Sequence, residues 1–280
     1  MKILATSDIH QMASKWKELV KASKKEKPEV IAISGDLFPK DEGILMQTKW
    51  MDHLKKYARQ IKNEGIELIL TLGNDDNQLL ISEMDQGDKD GLWHYIENKV
   101  VKVQGQEFIG MPYVPDYPFG YKYWCHPDSK KNSRICVYRI CEPLLITDDN
   151  KFKEIPNFPQ WFISSFSIEE ALADLTAQVE DMAKSIWLIH APPSKVSLDI
   201  CANGQEVGSD AVLEFIESEQ PMLTIHGHIH EAPEYNGRKW FHQENHTLCV
   251  QGGQMGFDLH YSIIEIEDGE IKSKKHSIYE

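Results

Sequence analysis

No apolar run in this 280-residue chain approaches the roughly 20 residues that a membrane-spanning helix needs, so no transmembrane segment is expected. The chain opens directly on Met1-Lys2-Ile3-Leu4, read as a strand, with no charged leader ahead of an apolar stretch. The expected location is the cytoplasm. Cysteine is scarce and odd in number: Cys125, Cys136, Cys141, Cys201 and Cys249 contain no Cys-x-x-Cys pair and read as reduced thiols. Positive charge is also short, with 30 Lys and Arg against 44 Asp and Glu and a net charge of −14. Nucleic-acid affinity comes largely from Lys and Arg neutralising phosphates, so this balance argues against a long nucleic-acid partner. It does not exclude a small phosphate substrate, because bound divalent metals would reverse the local field.

What the chain does have is apolar and aromatic material for a large core: seven Trp, ten Tyr and ten Phe, in a composition that is 41% hydrophobic. The first third alternates short apolar runs with amphipathic stretches. Lys2–Thr6 reads as a strand, and Ser14 is placed to cap a helix whose apolar face holds Trp16, Leu19 and Val20. Val30–Ser34 is continuously apolar, as expected of a strand buried on both faces. Trp50, Leu54, Tyr57, Ala58 and Ile61 recur at helical spacing before a further strand at Ile66–Leu72. This β-α-β-α-β order implies a largely parallel sheet.

From about Val100 the rhythm breaks. A hairpin (Val100–Val103, Glu107–Ile109) leads into a segment at about 111–160 dense in proline and aromatic residues, including Tyr113, Tyr117, Phe119 and Trp124. It reads either as a surface insertion with a small core of its own or as a wall over a substrate site, with Tyr113, Tyr117 or Trp124 at the mouth. The alternation then resumes. One helical face carries Ile168, Ala171, Leu172, Leu175, Val179 and Met182, followed by a strand at Ile186–Ile189, a helix around Ala211–Ile216 and a strand at Met222–Ile225. Three final strands are expected at Leu248–Val250, Tyr261–Ile266 and Ile271–Lys275. There is no internal repeat and no low-complexity linker, and residues 1–280 are expected to form one domain.

Almost every strand of the alternating part runs into a metal-capable residue. The first leads to Asp8-Ile9-His10, the second to Gly35-Asp36 and the third to Gly73-Asn74-Asp75-Asp76. Ile186–Ile189 ends at His190, and Met222–Ile225 at His226-Gly227-His228-Ile229-His230. Carboxyl ends of parallel strands line one edge of a sheet, so five clusters far apart in sequence are expected to converge. Mixed imidazole and carboxylate donors suit Mn²⁺, Fe or Zn²⁺ better than Ca²⁺. Each piece alone is weak: Asp-x-His and Gly-Asp are common turns, and Gly-Asn-Asp-Asp alone reads as a turn with a helix cap. Gly-His-Ile-His is stronger, since alternate residues of an extended segment point the same way. All five in order are hard to attribute to chance. His226 is expected to pack behind the others.

These pieces and their order resemble the calcineurin-like metallophosphoesterase superfamily. The resemblance implies an α/β fold in which two mixed β-sheets pack as a sandwich flanked by helices. It implies that Asp8, His10 and His230 bind one divalent metal, that Asn74, His190 and His228 bind a second, and that Asp36 bridges both. The implied activity is hydrolysis of a phosphate mono- or diester by a water or hydroxide held between the ions. Mn²⁺ is the first expectation for the pair, with Fe, Zn²⁺, Mg²⁺ or Ni²⁺ as alternatives. One position departs from the family: where its third motif carries a His that assists the leaving group, this chain has Asp75. A carboxylate lacks the imidazole's ready proton near neutral pH unless its pKa is raised. Asp75 and the following acidic Asp76 are therefore the candidate catalytic residues. The rival reading is a metal-binding interaction scaffold of the same fold with little turnover.

Overall fold

The computed structural model describes residues 1–10, 12–40 and 43–279. Its strands are β1 (Lys2–Thr6), β2 (Val30–Ser34), β3 (Glu67–Thr71), β4 (His94–Tyr95), β5 (Val100–Val103), β6 (Gln106–Met111), β7 (Leu144–Ile146), β8 (Phe152–Glu154), β9 (Ile186–Ile189), β10 (Leu223–His226), β11 (Phe241–Glu244), β12 (Thr247–Gln251), β13 (Ser262–Glu267) and β14 (Glu270–His276). The helices are α1 (Ala13–Glu26), α2 (Met51–Lys62), α3 (Ile81–Lys89), α4 (Phe158–Ser164), α5 (Ile168–Thr176), α6 (Asp210–Glu219) and α7 (Ala232–Tyr235).

The strands build two mixed six-stranded sheets, ordered β14-β13-β1-β2-β3-β4 and β11-β12-β10-β9-β6-β5, beside a small β7-β8 hairpin. In the first sheet β1, β2, β3 and β4 run parallel out to the β4 edge, with β13 reversed; in the second, β6, β9, β10 and β12 run parallel between the reversed edge strands β5 and β11.

Side-chain alternation explains why the sheets stack. Ile3, Ala5, Val30, Ala32 and Ile69 point into one core together with Phe108, Ile186, Leu188, Leu223, Ile225 and Val250 of the other sheet. Their neighbours Leu4, Ile31, Ile33, Leu68 and Leu70 face the opposite way, onto Trp16 and Leu19 of α1 and Leu54 and Ile61 of α2. Trp187 and Ile189 face Leu172 of α5 and Val212 and Ile216 of α6. Both faces of the central strands are thus dry, which is why they read as unbroken apolar runs. The result is a helix-sheet-sheet-helix sandwich. No helix among the described residues is long and apolar enough to cross a membrane. All five cysteines are free.

Several sequence expectations need correction. Ser14 caps nothing: α1 begins at Ala13, and its cap position, Met12, makes no side-chain bond. The expected helix through Met182 stops at Thr176, because the Glu107 carboxylate accepts the backbone N–H groups of Glu180 and Asp181 and draws the chain off the helical path. Val179 and Met182 still pack against the outer core. The short strands β4, β7, β8 and β11 were not legible in the pattern, being two to four residues long with at least one face half-exposed or exposed.

The aromatic segment is built into the cores. Val114, Tyr117 and Cys125 join the outer core of the second sheet, while Tyr121, Trp124 and Ile146 join that of the first. A buried ion pair supports it: Lys122 Nζ lies 2.9 Å from Asp116 Oδ1, and Arg139 donates to Asp116 Oδ2 at 2.7 Å.

Candidate metal centre

The five motif clusters leave the carboxyl ends of β1, β2, β3, β9 and β10, and the structure gathers them into one place. The loops are laced together by their backbones. Asp8 N–H donates to Gly35 O and His10 N–H to Asp36 O, both at 3.0 Å. Asp8, His10, Asp36 and His228 adopt positive φ values of 52°, 46°, 53° and 71°. That region is sparsely populated by residues with a Cβ, and such strain persists only where surrounding contacts enforce it. The close fit extends to Gly227, where an added Cβ would lie 2.7 Å from Asp8 Oδ2.

Two groups of donors result. In the first, ligand-type atoms of Asp8, His10, Asp36 and His230 all lie within 4.8 Å of one another. His10 Nε2 and His230 Nε2 face each other at 3.1 Å, with His230 Nε2 3.4 Å from Asp8 Oδ1 and His10 Nε2 3.6 Å from Asp36 Oδ2. In the second, Asn74 Oδ1 meets His190 Nε2 at 3.0 Å and also His228 Nδ1, while His190 Nε2 lies 3.5 Å from Asp36 Oδ1. The two oxygens of Asp36 therefore face different groups. His190 is oriented by its other nitrogen, which donates to Ser34 O at 2.7 Å and leaves Nε2 turned toward Asn74 and Asp36.

The electrostatics show how strongly these groups depend on one another. Burial pushes the Asp8 carboxyl up, but His230 and His190 outweigh it and bring it down to about 2. Burial likewise opposes ionisation of Asp36, and His190 and His10 overcome it and hold the carboxyl well below its usual range. His190 is lifted to about 10, because Asp36 outweighs the burial that would neutralise it. His228 goes the other way, down to about 3, through burial and then the nearby His190 charge. Without a cation, the buried carboxylates of Asp36 and Asp8 push His190 and His230 toward their charged forms. Asp8 Oδ2 is buried and has no hydrogen-bond partner among the described residues, a costly state for a carboxylate oxygen. A carboxylate with one orphaned oxygen and the other 3.4 Å from one of two facing imidazole nitrogens is a donor set that fits a divalent cation of the Mn²⁺, Fe or Zn²⁺ type.

Asp75 and Asp76 are placed differently from each other. Both oxygens of Asp76 are buried: Oδ1 accepts from Phe38 N–H at 2.9 Å, and Oδ2 from Leu37 N–H at 3.1 Å and Gly73 N–H at 2.9 Å. It ties the loop after β2 to the loop after β3. Asp75 sits nearer the open side. Its N–H donates to Asp36 Oδ1, its carbonyl accepts from the buried Gln47, and its Oδ1 accepts from Asn74 Nδ2 at 3.0 Å. Burial and the Asp36 charge hold its carboxyl above the usual carboxylate range, with Lys40 and His10 opposing only in part.

One neighbour had no sequence signal: Lys40 Nζ lies 3.5 Å from Asp75 Oδ2. The Tyr117 ring stands edge-on to His228 at 5.9 Å. Of the three aromatics expected at the mouth, Tyr117 borders the site but is buried. Trp124 is fully buried and donates its indole N–H to Asp76 O, so it braces the loop from below instead of lining the mouth. Tyr113 is half-buried and packs on His126 and Phe166. His226, as expected, is buried behind the centre, bonded to Ile189 O, Ala191 O and Thr224.

The family model for calcineurin-like phosphoesterases matches residues 1–232, a range that takes in all five clusters and the aromatic segment. The chain belongs to that family. Solved structures agree on the fold of this calcineurin-like phosphoesterase. It is 15% identical to the TT1561 protein of Thermus thermophilus, with 98% of this chain and 97% of that chain covered and a TM-score of 0.58. It is 11% identical to a dimetal phosphatase from Danio rerio, with 100% and 99% covered and a TM-score of 0.50. No curated protein sequence matches the chain. Members of the family are typically hydrolases that use two divalent metals on small phosphoester substrates, and the Asp8, His10, Asp36 and His230 group is a candidate site for metal in this member.

Proposed function

We propose that this chain hydrolyses a small phosphate mono- or diester with two divalent cations, Mn²⁺ first among them. Asp8, His10 and His230 would hold one cation, Asn74, His190 and His228 the other, with Asp36 shared. The observation that carries the reading is the position of Asp36: one oxygen faces His10 and the other faces His190. Two cations so placed would neutralise the phosphoryl charge and acidify a water for attack.

The chain's own residues do the positioning. Ser34 O fixes the His190 ring, the Asp75 N–H holds Asp36 Oδ1, and Asp76 locks the two loops that deliver Asp36 and Asn74. Asp75 has an ammonium 3.5 Å away and would have dications beside it, both of which favour its ionised form. With both cations bound, which would outweigh the burial and Asp36 charge that raise it, it would hold no proton for the leaving oxygen, and esters with good leaving groups are favoured. Five free cysteines support a cytoplasmic setting.

Turnover of a bis-aryl phosphate and an aryl monophosphate by Mn²⁺-loaded protein, before and after chelation, tests the reading. Hydrolysis that disappears with the metal and returns on its addition supports it. Full metal content with no turnover across a phosphate-ester panel would replace it with the scaffold reading.

A further inference from the structure

Asp75 brings a carboxylate to the open side of the centre, where a phosphate anion would be repelled by it. Lys40 answers that charge. Its ammonium lies 3.5 Å from Asp75 Oδ2, and the Lys40 side chain is 48% exposed against 20% for Asp75. The cation is thus the outer partner, met first by an approaching anion. A half-exposed, single-contact ion pair of this kind contributes little to stability, so its consequence lies in where it sits. On its other side, Lys40 Nζ is 5.9 Å from the centre of the Phe119 ring, which is 47% exposed. Phe119 lies 6.3 Å from the Tyr117 ring, and Tyr117 reaches His228 at 5.9 Å. An arc from Asp75 through Lys40, Phe119 and Tyr117 to His228 therefore borders the candidate centre. It combines one cation with one exposed aromatic face.

Resting on the phosphoesterase reading, we propose that Lys40 and Phe119 form the outer half of the substrate site. Lys40 donates to a non-bridging phosphoryl oxygen, and the Phe119 ring packs against the esterified group. The preferred substrate then carries a planar or apolar substituent on its phosphate. Asp75 is the positioning residue that holds Lys40 over the entrance. The ring of Phe119 offers a flat apolar face, and its π-electrons favour keeping the ammonium alongside.

Phosphonates test this without turnover, since they have no scissile ester. Calorimetric titration of the full-length Mn²⁺-loaded chain would use inorganic phosphate, methylphosphonate and phenylphosphonate, with metal content measured for every variant. Wild type is expected to bind phenylphosphonate more tightly than methylphosphonate. Lys40→Met should weaken all three by about tenfold or more, the scale of a lost charge-assisted hydrogen bond, and Lys40→Arg should retain most of the affinity. Phe119→Ala should weaken phenylphosphonate alone, to the level of methylphosphonate. Adding Asp75→Asn to Lys40→Met should recover part of the loss, because it removes the uncovered carboxylate; a merely structural pair would not behave so. Unchanged affinities in Lys40→Met at full metal content, or equal losses for all three ligands in Phe119→Ala, overturn the proposal while leaving the phosphoesterase reading in place. Metal-loaded wild type that binds none of the three ligands overturns both.

Discussion

The backbone N–H of Asp75 donates to Oδ1 of Asp36 at 2.8 Å, so the residue that departs from the family motif is bonded to the carboxylate lying between the two donor groups. Any change of backbone at position 75 is felt by Asp36. Side-chain substitutions there leave this bond in place but remove the contacts with Asn74 and Lys40, so leaving-group dependence within each variant, at measured metal content, is the informative readout.

If Asp75 holds no proton to give, the rate should depend steeply on leaving-group pKa, with activated aryl esters cleaved far faster than alkyl ones. Asp75→His should recover part of the deficit for poor leaving groups, within the roughly 10²–10⁴-fold that general acid catalysis supplies. Rates for an aryl and alkyl ester series in wild type, Asp75→His and Asp75→Ala decide it. A shallow slope in wild type, or loss of all activity in both variants with metals retained, contradicts the argument.

Metal analysis of the reconstituted chain should approach about two equivalents, because seven donors exceed what one tetrahedral ion uses. Asp36→Asn should lower that content, since it weakens an oxygen facing each group. Saturation at one equivalent, unaffected by Asp36→Asn, would show a mononuclear site.

Asp76 is the residue whose loss should cost most stability. Asp76→Ala leaves the Leu37, Phe38 and Gly73 N–H groups unpaired in a buried place. The expected loss is a few kcal/mol, at about 1–3 kcal/mol for each buried donor left unpaired. Asp76→Asn keeps one acceptor oxygen and should fall between. Denaturant unfolding of the metal-free proteins reads this directly. Metal content should fall in parallel, because the loops carrying Asp36 and Asn74 lose their tie.

Away from the centre, burial pushes the Glu97 carboxyl up to about 7, against the pull of the Tyr95 hydroxyl and Lys99 and with the help of Asp85. A folded-state pKa above the ordinary 4.5 means the folded chain binds this proton more tightly than the unfolded chain. The stabilisation is complete below about pH 4.5 and is lost as pH rises through about 7. The stability of wild type relative to Glu97→Gln should therefore decline between about pH 5 and pH 8, roughly as one linked proton requires. A difference that is flat over that range, measured by urea unfolding, would show that Glu97 ionises normally.

The sequence by itself determined the layers of this protein and the polar clusters that meet at one edge of them. Val30–Ser34 and Ile186–Ile189 are apolar at every or nearly every position because both faces of these strands are covered, and that is a local property of each run. That Asp8, His10, Asp36, Asn74, His190, His228 and His230 would converge was legible because each follows a strand whose carboxyl end meets the others. Tertiary structure alone decided the rest. The left-handed turns at Asp8, His10, Asp36 and His228 are imposed by backbone bonds between loops, so no local propensity announces them. Asp76 reads in the sequence as a candidate catalytic residue, and only the fold shows it clamping two loops, because its oxygens meet amides from another loop. Trp124 went under the site and Lys40 came to its mouth for the same reason: which side chain meets which loop is set by the stacking of two sheets, and residues distant in sequence share no pattern until that stacking has formed.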